Sequence, residues 1–157
     1  VDHHIYTKID ISTLEMAREG PSYAIDTAKE LRALYGDQAS ITWIMGADSW
    51  ENIKTWHQWP ELPNFVHIAV ASRPKTANQT DQSPIGSVFS DKQTQDPQLL
   101  QLSPQGHVLF DQSLQINLAS NELRDGFYNH ASWDELADAI PPLVLEYIEA
   151  KGLYRNK

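Results

Sequence analysis

The residues that could handle a phosphate-bearing ligand stand where apolar runs give way to helical patterns. In residues 41–50, Ile-Thr-Trp-Ile-Met-Gly-Ala-Asp-Ser-Trp, a short apolar run ends at Gly46 and a helical pattern follows directly. Gly46 would let a ligand come close to the backbone, and Asp48 would offer a carboxylate to ribose hydroxyls or hold the loop. Arg73 follows a second apolar run at 65–71. A cation there stands at the carboxyl end of a strand, where open α/β sheets bind anions; a surface salt bridge is the plainer alternative. Trp56 and Trp59 flank His57 and Gln58, and either both fill core or one lies over a planar ligand. The adjacent His3 and His4 would point to opposite sides of a strand, so they read as a terminus and not as a chelating pair.

The elements needed to position these groups are legible from periodicity. Residues 8–11 alternate and predict a short strand. A charged stretch leads to the turn Gly20-Pro21-Ser22-Tyr23, and a helix with Ile25, Ala28, Leu31, Leu34 and Tyr35 at helical spacing follows, with Gly36 just past its end. The run at 41–45 predicts a buried strand, 49–55 a helix, and 65–71 another strand, with Pro60 stopping any helix near it. Residues 75–98 are rich in Thr, Asn, Gln, Asp, Ser, Pro and Gly with few apolar anchors, and read as a long insertion carrying one helical turn near its end. Strands are expected at 108–110 and 114–118, then a helix with Ser120 as N-cap. The chain closes on Pro141-Pro142 and a helix with Leu143, Val144, Tyr147 and Ile148, stopped at Gly152. Strands alternating with helices imply one α/β domain around a mostly parallel sheet.

Composition narrows the classes of function. With 12 basic and 21 acidic residues the formal charge is -9, which disfavours a phosphate-tracking nucleic-acid surface but leaves room for a small anionic ligand. The absence of cysteine removes disulfides, thiolate metal sites and a cysteine nucleophile. No apolar run approaches bilayer length and no signal pattern opens the chain, so the expectation is a soluble, cytoplasmic protein. No G-x-G-x-x-G and no P-loop lysine motif occurs, which argues against an oxidoreductase of the dinucleotide type.

In order along the chain, several segments resemble the bacterial nicotinate-nucleotide adenylyltransferases. Gly20-Pro21-Ser22-Tyr23 followed by Ile25-Asp26-Thr27 resembles that family's GPSYT-x-x-T, and Ile44-Met45-Gly46-Ala47-Asp48-Ser49 its strand-ending I-x-G-x-D-S. Lys54-Thr55-Trp56-His57 resembles its [KT]-W-[YH] turn, Ser72-Arg73-Pro74 its RP motif, and residues 143–155, with Gly152-Leu153-Tyr154, its closing segment. The resemblance implies a Rossmann-like doubly wound sheet and a reaction in which the phosphate of nicotinate mononucleotide attacks the α-phosphorus of ATP. Deamido-NAD forms and pyrophosphate leaves, with Mg2+ accompanying the triphosphate. It implies Gly46, Asp48, Arg73, Ser120, Asn121 and Arg124 for ATP and its phosphates. For the nicotinate nucleotide it implies Ser22, Tyr23, Ala24, Trp56 and His57, with Trp56 stacked on the pyridine and backbone N–H groups of the two turns on its carboxylate.

Two departures stand beside this. The family's S-[SAT]-T-x-[IL]-R reads Ala119-Ser120-Asn121-Glu122-Leu123-Arg124 here, so one hydroxyl is gone and Asn121 must substitute as donor. The family's G-x-F-[DN]-P-x-H-x-G-H is absent, and with it the histidines that stabilise the transferred phosphate; no catalytic residue is assigned in this chain and no metal ligand. The chain opens on Val1, and the expectation is that the first strand-helix units are missing and that these residues alone are inactive. A sheet lacking those strands would expose edges that an N-terminal segment or a second copy covers. The alternative is a catalytically dead remnant that binds a nucleotide or a protein; the relative acting on the amide nucleotide stays open.

Overall fold

A computed structural model describes residues 9–71, 88–111, 120–128 and 140–154. The chain divides into two compact units, Val1–Gln115 and Ile116–Lys157.

The first unit is built on four parallel strands: β1 (Thr42–Gly46), β2 (His67–Ala71), β3 (Gln93–Thr94) and β4 (Val108–Asp111), in the order β1-β2-β4-β3. β2, flanked on both sides, is apolar on nearly every position, with Ile68 and Val70 fully buried, as a central parallel strand must be. Its register sets Gly46 beside Ala71 and Ala71 beside Asp111, so three strands end in one row. β1 lies at the edge and obeys the alternation of a half-buried strand: Met45 faces the core and Ile44 is 75% exposed. The run at 41–45 is therefore buried on one face only.

Helix α1 (Ala24–Tyr35) begins after the Gly20-Pro21 turn and ends at Gly36, whose φ of 81° suits glycine and whose N–H reaches the Arg32 carbonyl. Ile25 and Ala28 enter the core as the spacing requires, but Leu34 and Tyr35 are exposed and Arg32 is buried in their stead. Its guanidinium donates to the carbonyls of Gly36, Ala39, Phe65 (twice) and Pro104. The side chain thus ties the helix end to the entry of β2 and the turn before β4.

From β1 the chain passes without a loop into α2 (Ala47–Glu51), which buries Ala47 and Trp50, and then into 3-10 turns at Ile53–Thr55 and Trp59–Asn64. Pro60 sits in the first turn of the second of these and so starts a helix where the sequence suggested a stop, because that position has no intrahelical use for an N–H. Residues 9–11 are not a strand; Ile9 and Ile11 are 64% and 86% exposed. Alternation without a sheet to pair with gave them no extended partner. In the part of 75–98 that is described, Phe89 is fully buried between Trp50 and Trp59, so this segment is anchored at its carboxyl side. A one-turn helix, α3 (Leu99–Leu102), follows it. The strand expected at 114–118 lies outside the described residues.

The second unit contains α4 (Ser120–Tyr128) and α5 (Pro142–Lys151). Ile140 and Leu145 pack with Leu123 and Phe127. Gly152 closes α5 in the left-handed conformation, φ 60°, as its position past the last helical residue required. Of the four apolar positions named for this helix only Ile148 is buried, with Leu145 as its companion.

Candidate functional site

The first turn of α1 and the turn that follows α2 meet at a cleft of about 400 Å³, lined by Glu15, Ser22, Tyr23, Ala24, Trp43, Thr55, Trp56 and His57. Two wall segments come from stretches some thirty residues apart. The Tyr23 and His57 rings lie 4.6 Å apart at 35°, and Trp56 meets the edge of Trp43 at 6.4 Å and 72°. A cleft lined by four aromatic rings together with Glu15, Ser22 and Thr55 suits a flat ring that carries polar substituents.

Polar side chains brace the α1 end of the cleft. Arg18 donates from Nη1 to Ser22 Oγ at 2.9 Å and to Thr27 Oγ1 at 3.1 Å, and from Nη2 to Glu30 Oε2 at 2.9 Å. The Thr27 hydroxyl in turn donates to Glu15 Oε1 at 2.7 Å. Ser22 thus serves as an acceptor for Arg18. Tyr23, not Ser22, is the N-cap residue, and it makes no side-chain cap bond. The first N–H groups of a helix have no intrahelical acceptor and can meet an anion. At the other turn the Trp56 N–H is already bonded to the Ile53 carbonyl at 2.9 Å, so that amide is not a donor for a ligand.

All five residues named for a nicotinate nucleotide, Ser22, Tyr23, Ala24, Trp56 and His57, lie on this one cleft. Gly46 and Asp48 do not line it; β1 contributes Trp43 instead. Gly46 has φ -78°, which any residue adopts, and a Cβ there would meet nothing within 4 Å. Asp48 is exposed in the first turn of α2, where its carbonyl accepts from Asn52 Nδ2 at 2.8 Å. Arg73 lies outside the described residues. Ser120 and Asn121 begin α4, but their side chains lie outside the described residues; Arg124 is exposed on the same helix beside an apolar hollow of about 260 Å³. Among the described residues no group of three or more His, Cys, Asp or Glu could hold a metal.

Trp43, Glu15 and Thr55 line the cleft without having been named for it from the sequence, although Thr55 belongs to the Lys54-Thr55-Trp56-His57 turn. Trp43 was recoverable, since it shares the inward face of β1 with Met45; Glu15 was one of several acids in a charged stretch, and nothing in its spacing marked it.

Parallel strands in one sheet, a strand running straight into a helix, and an aromatic cleft beside a helix start define an α/β domain of the Rossmann-like class. No family model matches the chain. A protein of Xylella fastidiosa strain M12 named "probable nicotinate-nucleotide adenylyltransferase" is 38% identical over 136 residues, which is 85% of this chain and 60% of the relative. One of the same name from Dechloromonas aromatica strain RCB is 30% identical over 151 residues, 95% of this chain and 68% of the relative. The fold matches that of Plasmodium falciparum nicotinic acid mononucleotide adenylyltransferase complexed with APC, with a TM-score of 0.64 at 18% identity, covering 96% of this chain and 66% of that one. The chain belongs to the nicotinate-nucleotide adenylyltransferase family. It spans about 60% of the length of the Xylella relatives it matches.

Proposed function

We propose that the protein carrying this chain joins nicotinate mononucleotide to ATP, giving deamido-NAD and pyrophosphate in NAD biosynthesis. The observation that carries the proposal is the convergence of Ser22, Tyr23, Ala24, Trp56 and His57 on one cleft. The pyridine ring enters between Trp56 and the Tyr23-His57 pair, and the first turn of α1 offers N–H groups to its carboxylate. Because Ala24 would act through its backbone, a methyl side chain at that place costs the site nothing.

ATP lies at the carboxyl ends of the strands. Gly46 needs no special backbone angle and has open space around it, which leaves room for a nucleotide to approach the backbone. The family resemblance of their motifs assigns Asp48 to a ribose and Arg73, Ser120, Asn121 and Arg124 to phosphates. Charge stabilisation and alignment carry most of such a transfer. Mg2+ would arrive on the triphosphate, with most of its ligands from phosphate and water; the described residues do not form a metal cage. The sequence has no H-x-G-H, so the family's charge-stabilising histidines have no counterpart in these 157 residues, which supply binding walls.

The decisive assay is release of pyrophosphate when the intact protein meets ATP and nicotinate mononucleotide. Turnover that disappears on omitting the mononucleotide is expected. Tight binding of the mononucleotide with no pyrophosphate would favour the inactive binding remnant, for which the missing histidine motif speaks.

A further inference from the structure

We infer that Glu15 sets how strongly the cleft distinguishes the acid from the amide form of a pyridine mononucleotide. The inference rests on the reading of the cleft given above. Of the described residues on its wall, Glu15 is the one acidic side chain, and no lysine or arginine lines the cleft with it. The nearest cation in the bonded network is Arg18, yet its ion pair is with Glu30 at 2.9 Å. Glu15 receives only the Thr27 hydroxyl, at 2.7 Å, and no cation pairs with it among the described residues. Glu15 thus lines the cleft with no direct ion pair among the described residues, and Arg18 reaches it only through the Thr27 hydroxyl.

The position of that charge gives it a target. Thr27 lies one turn into α1, with its N–H on the Tyr23 carbonyl, so the carboxylate it holds sits beside the helix start that would receive the ring's 3-substituent. Nicotinate and nicotinamide mononucleotides differ only there, by a carboxylate in place of a neutral carboxamide, and both carry the same pyridinium and phosphate. Aromatic walls treat the two rings nearly alike. Backbone N–H groups favour the acid, and Glu15 opposes them by like-charge repulsion, while its free oxygen can accept from the amide N–H₂. Glu15 is thus a specificity-determining residue that narrows the preference for the acid. Because it is exposed, solvent screens the effect to a modest factor.

The test compares dissociation constants of the two mononucleotides by calorimetry on the intact protein and on Glu15→Gln and Thr27→Val variants. Glutamine keeps an acceptor for Thr27 and removes only the charge. The affinity ratio of acid to amide is expected to rise by about two- to fivefold in Glu15→Gln, the size of a screened charge pair. In Thr27→Val, which keeps the charge, both ligands should weaken together. A ratio unchanged in Glu15→Gln while both ligands still bind overturns the inference and leaves the cleft assignment standing. Binding of neither ligand to the parent overturns the cleft assignment, and the inference with it. Should the variant fold poorly, the parent suffices: the acid-to-amide ratio should rise as salt screens the repulsion, and a salt-independent ratio counts against Glu15.

Discussion

Replacing Arg32 with methionine should destabilise the protein by about 3–5 kcal/mol, the order measured when one partner of a buried charged network is removed. The figure follows from what the guanidinium holds. It makes five hydrogen bonds to four main-chain carbonyls, at 2.6 to 3.1 Å, with its own side chain buried. No ion pair to Arg32 occurs among the described residues, so the carbonyl dipoles, together with the end of α1, compensate its charge. Methionine fills much of the same volume but leaves those oxygens without donors, at about 1–3 kcal/mol for each that stays dry. Recovery of the arginine's own desolvation cost offsets part of that sum. Arg32→Lys keeps the charge but not the fork, and should lose roughly half as much. Urea titration followed by tryptophan fluorescence reads the effect directly. With a slope of about 1–3 kcal/mol per molar urea, the methionine variant should unfold about 2 M earlier. A methionine variant within about 1 kcal/mol of the parent, the worth of one ordinary hydrogen bond, would show that the four carbonyls find water and that this side chain is no staple.

Three further outcomes are expected. His67 is fully buried, its Nδ1 accepts the His107 N–H at 3.0 Å, and its Nε2 faces the Ser103 carbonyl at 2.8 Å, an arrangement that suits the neutral ring with its proton on Nε2. Burial lowers its pKa from the ordinary 6.5; the Ser103 hydrogen bond opposes this, and the nearby His107 and Arg32 charges add to the lowering. The unfolded chain therefore takes up the proton first, so this contribution to stability is intact above pH 6.5 and declines as pH falls below it; His67→Gln should flatten that slope in urea titrations across pH 5–7.5. Gly46→Ala should melt within about 1 kcal/mol of the parent, the usual range of a glycine-to-alanine change at a compatible angle, yet weaken ATP binding in a filter or calorimetric assay; unaltered ATP affinity would remove Gly46 from the nucleotide site. β1 has a paired strand on one side only among the described residues, and Ile44 is exposed on its outer face. Ile44→Lys in the 157-residue chain should therefore reduce self-association by light scattering, and an unchanged scattering profile would point to another surface.

Periodicity located α1 and α5 because a buried helix face writes itself into the sequence at a fixed repeat, whereas β1, β2 and β4 stood out as short apolar runs. It could not say which face a given neighbour covers. Leu34, Tyr35, Leu143 and Tyr147 follow the helical repeat and are nonetheless exposed. Arg32 was illegible as a core residue because its burial depends on carbonyls as far along the chain as Pro104. Phe89 was hidden in a polar stretch, and its anchoring depends on a packing partnership with Trp50 and Trp59 that no local pattern encodes. The cleft was more legible than the core. Ser22, Tyr23, Ala24, Trp56 and His57 belong to two short motifs whose order and composition identified them together, whereas Glu15 and Trp43 belong to it through tertiary contact.

The central claim, that the aromatic cleft holds the nicotinate half of the substrate, is tested most directly by a structure of the intact protein with nicotinate mononucleotide bound. The pyridine ring is expected between Trp56 and the Tyr23-His57 pair, its carboxylate at the first turn of α1. A nucleotide bound elsewhere, with the cleft between those rings empty, would contradict it.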